Sequence, residues 1–217
     1  MIKDDTHHKK FQLDRIALFS DAVFAIAITL LIIEIKVPEI EHPFTDSKVL
    51  SALSLLIGKF IGLLVSFFVI GRYWLFHHRL FGYVTDYNGK LLWVNLWFLL
   101  SIVLMPFSSA FFSEYYVDGL RVPLMFYVLN ICFTGYMNYR LLAVVSNPNY
   151  KLSTNLQNPK KVKFYQQRSA IAPSVFLFAA IISFLNLYLA YAAFILIPVF
   201  SFTINRYYRK HYPDFFK

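Results

Sequence analysis

Between Arg15 and Pro38 lie about 22 residues, almost all apolar, and this stretch limits what the chain can become more than any other. At about 1.5 Å rise per residue they make a helix of roughly 33 Å, enough to cross a bilayer. Inside the span sits Asp21, preceded by Ser20. A carboxylate at membrane depth costs on the order of 2.5–3.5 kcal/mol on insertion scales, so it needs a reason to be there. Arg15 is six residues away and falls on another face, because helices pair residues three or four apart. Asp21 must therefore find its partner on a different helix.

The remaining composition agrees with a membrane protein. Hydrophobic residues make up 58% of the chain, and 24 Phe with 15 Tyr exceed what a soluble domain carries. The formal charge of +9 comes from lysines and arginines separated by long apolar runs, a pattern of membrane topology rather than nucleic-acid binding. The single cysteine, Cys132, excludes an intrachain disulfide and reads as a small packing residue. No cleavable signal is expected, since the first 14 residues are polar.

Apolar blocks and their breaks predict an all-α integral membrane protein with one domain over residues 1–217 and six transmembrane helices. The expected helices are 15–37, 49–75, 91–112, 122–142, 169–185 and 187–205. The first 14 residues read as a mobile polar tail, and a polar, basic loop of roughly 25 residues precedes the fifth helix. Residues 169–205 are too long for one crossing, and basic flanks on both sides require an even number; a turn near Asn186 supplies it. Placing both termini, the 2–3 loop and the 4–5 loop on one face gives that face 17 Lys and Arg against 3 opposite. The positive-inside rule then puts both termini in the cytoplasm. Ser54, Gly58, Gly62 and Ser66 recur every four residues and predict a close helix–helix seam. Lys59, beside that stripe, either snorkels outward or pairs with Glu34. A kink is expected at Pro106.

A buried carboxylate needs polar partners at its own depth. The inner ends of the second and third helices offer Arg72, His77, His78, Arg79 and Asn95. The predicted network joins Arg15, Ser20, Asp21, His77 and Asn95, with Phe19 beside them, and its role is to fix the angle of the first helix. Neighbouring His77 and His78 project about 100° apart on a helix, which suits no shared metal ion, and no carboxylate completes a site. No phosphate loop, cofactor motif, nucleic-acid motif or Ser/His/Asp set is legible, so neither an enzyme nor a resident cofactor is expected.

The run Arg15, Phe19, Ser20, Asp21 followed by an aliphatic stripe, together with YWLFHHRLF from Tyr73 to Phe81, resembles prokaryotic homologues of the endolysosomal potassium channel transmembrane protein 175. Elsewhere the likeness is one of length, helix count and topology. The resemblance implies a homotetramer in a bacterial plasma membrane, with first helices lining a central pore for potassium and lipids around it. Carried over by offset from Phe-Ser-Asp, it assigns the constriction to Ile26, Leu30 and Ile33 and a hydroxyl layer to Thr29. From the residues alone, those four share one helix face and read as ordinary packing. The chain has no Thr-Val-Gly-Tyr-Gly loop, so preference for potassium over sodium should be modest and the aliphatic ring should gate by dewetting. A proton-coupled secondary transporter that uses Asp21 and His77 is the alternative.

Overall fold

The computed structural model describes residues 2–115, 120–153 and 155–216. Of the acidic, aromatic connection over residues 113–119, which its composition places at the membrane interface, residues 116–119 lie outside the described residues, as does Thr154 in the 4–5 loop. The fold is all-helical: α1 (Ile2–Ile33), α2 (Asp46–Leu55), α3 (Ile57–Phe81), α4 (Gly89–Val103), α5 (Met105–Tyr115), α6 (Arg121–Val145), α7 (Pro159–Ile182), α8 (Leu187–Ala192) and α9 (Leu196–His211). Three 3₁₀ turns, Pro148–Tyr150, Ala193–Ile195 and Pro213–Phe216, complete it.

Several boundaries differ from expectation, each for a local reason. Helix α1 reaches back to Ile2, so the expected polar tail is its first turns, and it ends at Ile33. Pro38 disfavours helical backbone in the residue before it, and residues 36–41 form no helix. The second expected helix is two, α2 and α3, which meet at Leu56. The third is interrupted at Leu104, two residues before Pro106, whose ring nitrogen cannot donate back to the preceding turn. The fifth begins ten residues earlier than expected, at Pro159, where the Asn158 side chain accepts from the Lys160 backbone N–H at 3.0 Å. The turn near Asn186 is present. Its side chain accepts from the N–H groups of Tyr188 and Leu189 and so starts α8.

Among the described residues, five helical stretches are long and apolar enough to cross a membrane: Lys9–Ile33, Ile57–Phe81, Gly89–Tyr115, Arg121–Val145 and Tyr188–His211. Helix α7 is outside this set; its apolar part begins only after Tyr165, Gln166, Gln167 and Arg168 and is too short on its own. Helix α6 is the hub, packing on α4, α5 and α7, while α1 packs on α3, α4 and α5. Gly135 allows α6 to meet α7: a Cβ there would overlap the ring of Pro173. The small-residue stripe is a close seam at Gly62 and Ser66. A Cβ on Gly62 would stand 3.0 Å from Ser113 Cβ, and Ser66 Oγ bonds Ser109 Oγ at 2.6 Å and Tyr127 Oη at 2.8 Å. Ser54 belongs to α2, is exposed, and donates to the Ser51 carbonyl.

The described residues between α6 and α7, 146–153 and 155–158, fold onto one end of the bundle. Leu152 and Leu156 are buried there, and the Thr85 N–H donates to the Leu152 carbonyl at 2.8 Å. Lys9 on α1 meets Asp86 at 2.9 Å. The long first helix is thereby tied to the α3–α4 loop well beyond its apolar part.

Candidate functional site

Helix α1 has two unlike faces. Ser20, Phe24, Ala27 and Leu31, spaced four, three and four, turn inward; Ala27 is 2% exposed and Leu31 4%. This spacing is one stripe of a 3.6-residue helix, and it meets α3, α4 and α5. On the other side Ile26 is 59% exposed, Leu30 39% and Ile33 68%, with Thr29 exposed among them. The Thr29 hydroxyl donates to the Ile26 carbonyl at 2.9 Å. With its proton engaged, that oxygen has its lone pairs left for a donor or a cation.

Three of the residues expected in a polar network form a continuous chain. Asn95 Nδ2 donates to Ser20 Oγ at 3.0 Å, and Ser20 Oγ donates to the Ile16 carbonyl at 2.9 Å. Asn95 Oδ1 then accepts from His77 Nε2 at 2.9 Å, which sets the histidine tautomer. His77 is sandwiched by aromatic rings, stacking on Phe81 at 4.2 Å and on Phe98 at 5.8 Å, with Phe24 tilted against it at 5.7 Å. All three members are at most 2% exposed. The chain runs from a ring nitrogen to a backbone carbonyl, so every bond has a fixed direction and its Ser20 end is not a titratable group.

Asp21 stands beside this chain rather than in it. Its Oδ1 accepts from Trp74 Nε1 at 2.9 Å, so its partner is indeed on another helix, but it is an indole and not a base. Asp21 and His77 share no hydrogen bond among those described. Arg15 is exposed and reaches Gln12 at 3.5 Å. Phe19 is 54% exposed. Both project from the same outward side of α1 as the aliphatic stripe, away from the Ser20–Asn95–His77 chain. Arg72 turns to α7 and α9, donating to the Arg168 carbonyl at 3.0 Å and to Ser201 Oγ. Exposed His78 stacks on Trp74 at 5.6 Å.

At the other end of the span, Lys59 is held by Glu114 on α5, Nζ to Oε2 2.5 Å. Glu34 lines the same small recess, but the ion pair goes to the more distant residue in sequence. Neither of the two fates anticipated for Lys59 is the one it has. Trp74 and Glu114 are the partners that sequence reasoning missed. Trp74 had a legible sign in being four residues before His78 and three before His77, on the helix already expected to supply Asp21's partner.

Comparison with known proteins yields a consistent set of relatives. Residues 15–106 match the family model for the endosomal/lysosomal potassium channel TMEM175. A potassium channel of Streptomyces collinus is 41% identical over 101 residues, 46% of this chain and 48% of its own length. A potassium channel of Chamaesiphon minutus is 41% identical over 103 residues, 48% of this chain and 50% of its own. The chain thus spans about half the length of the curated relatives it matches. The crystal structure of a lysosomal potassium-selective channel TMEM175 homolog from Chamaesiphon minutus superposes with a TM-score of 0.73 and 28% identity, covering 89% of this chain and 98% of that one.

Proposed function

We propose, from the premise that residues 15–106 are homologous to the TMEM175 potassium channels, that this protein is a potassium-permeable cation channel of a bacterial plasma membrane. Four copies assemble with α1 at the centre. Each subunit crosses six times, with α7 as the sixth crossing beside the five apolar spans, and both termini are cytoplasmic. Ile26, Leu30 and Ile33 form the constriction and gate, and Thr29 contributes the hydroxyl layer that gives a modest preference for K⁺ over Na⁺.

The observation that carries this reading is the outward face of α1. An apolar face alone is as comfortable against acyl chains as against protein. What favours an axis is Thr29 in the middle of it, an oxygen acceptor with its own proton already engaged. Four such oxygens in one layer can replace part of a cation's water shell, and rings of isoleucine and leucine on either side narrow the path. The transporter alternative gains nothing from the geometry: His77 is caged by aromatic rings and its bonded chain ends on a backbone carbonyl.

The test is recording from the purified protein in planar bilayers under a potassium gradient. Unitary currents reversing toward the potassium potential are expected, and Thr29→Val should move the reversal potential toward zero in mixed K⁺/Na⁺. Leu30→Asn should wet the ring and raise conductance, whereas Ile28→Asn, off that face, should not. Flux without unitary events, or proton-coupled uptake, would sink the channel reading.

A further inference from the structure

We propose that a single anionic phospholipid binds at the Arg72 end of α3, its phosphate held by Arg72, Arg79 and Arg168 and one acyl chain lying in the crevice beside them. The three arginines line one polar recess between α3 and α7. The ion pairs among the described residues are Lys9–Asp86 and Lys59–Glu114, so no described carboxylate neutralises this cluster. Arg168 is partly buried against the face of Phe164, at 5.5 Å. Three guanidiniums with no described carboxylate beside them repel one another, and a phosphodiester, whose two free oxygens accept charge-assisted bonds from guanidinium N–H groups, relieves that repulsion.

The recess continues directly into an apolar crevice of about 800 Å³, sharing Arg72, Leu75 and Ala172 with it. Val69 and Phe68 on α3, with Phe194 and Ile197 near the start of α9, form its walls. A second cavity of about 300 Å³ extends it past Val65 to Ile61. From Ile61 to Arg72 is eleven residues of α3, about 17 Å, close to the roughly 15 Å half-thickness of a bilayer's hydrocarbon. A cationic end and an apolar slot of one leaflet's depth are the two halves of a phospholipid site. A free phosphate would use only the first.

Trp74 lines the crevice, anchored by its bond to Asp21, and so reports on the occupant. Trp93 and Trp97 are exposed elsewhere and are replaced by Phe in the full-length protein, leaving one emitter. Quenching is then read in vesicles that pair phosphatidylglycerol with phosphatidylcholine, brominated on the acyl chains of one lipid or the other. The proposal predicts that brominated phosphatidylglycerol quenches Trp74 as a lipid bound about fivefold or more tightly than phosphatidylcholine, from roughly one favourable charge contact. Arg79→Gln and Arg168→Gln should bring that ratio toward one. Arg72 is left alone because it also ties α3 to α9. Exposed Arg79 makes the mildest variant, and its elution profile and unquenched Trp74 emission should match the parent. Equal quenching by the two lipids overturns the proposal, as does a preference that survives both arginine changes. Loss of the preference on adding inorganic phosphate would assign the arginines to a free anion instead. No quenching by either lipid would mean that a neighbouring copy of the chain fills the crevice. The readout does not involve ion flux, so it stands or falls separately from the channel reading.

Discussion

Asn95→Leu tests whether the Ser20–Asn95–His77 chain holds α1 in place. The change keeps the branched shape at Cγ and favours the helix slightly, but it removes both bonds of the amide, 2.9 Å to His77 and 3.0 Å to Ser20. A hydrogen bond within a membrane is worth on average about 0.6 kcal/mol, and about 1.7 at most. Two lost bonds therefore cost about 1–2 kcal/mol. Ser20 keeps its bond to the Ile16 carbonyl, so it adds little. His77 Nε2–H is different, because it is left buried among Phe24, Phe81 and Phe98 with no acceptor, and a stranded donor costs about 1–3 kcal/mol. The expected total is roughly 2–5 kcal/mol. The diagnostic is the double variant Asn95→Leu with His77→Phe, which removes the stranded donor and places a ring among rings. It should be more stable than Asn95→Leu alone by about 1 kcal/mol or more. The assay is reversible unfolding in mixed micelles with the four proteins of the cycle. A double variant that is no more stable than Asn95→Leu would refute the reasoning, because His77 would then not be the group left in need.

Gly135→Ala should destabilise the protein by about 1–3 kcal/mol through overpacking against Pro173, while Gly71→Ala, whose Cβ meets nothing within 4 Å, should be tolerated; thermal melting of the two variants checks it. Lys9 beside Asp86, helped by the Tyr87 N–H, holds that carboxyl below the usual carboxylate range. Its contribution is therefore complete above the unfolded pKa of about 3.9 and is lost as pH falls through the lower folded value. The stability difference between the parent and Asp86→Asn should shrink on acidification from pH 5 to pH 3, and a difference that grows instead would contradict the assignment.

How much of this was legible in the sequence depended on what each residue could reveal by itself. Ser20, His77 and Asn95 stood out because polar atoms in apolar runs must meet, and helical spacing put them at one depth. Trp74 did not stand out, since an indole reads as an interfacial or packing residue until its single N–H is seen aimed at a carboxylate. Glu34 was the nearer choice for Lys59 in chain order, but the pairing depends on where α5 ends relative to α3, and the break at Leu104 hides that register. Arg15 and Phe19 share a motif with Ser20 and Asp21, yet motif membership does not fix which way a side chain faces. Arg15 and Phe19 point outward from α1, and the buried chain does without them. The starts of α1 and α7 were misplaced because charged, polar first turns look like loop, although Asn158–Pro159 is a legible helix start.

The most direct measurement of the pore assignment is a scan of single cysteines from Val23 to Ile33 in a Cys132→Ala background, with current recorded before and after a water-soluble thiol reagent. The assignment predicts block at Ile26, Thr29, Leu30 and Ile33, and silence at Phe24, Ala27 and Leu31, whose faces are packed inward. Block without a helical period, or block confined to the inward positions, would show that α1 does not line the ion path.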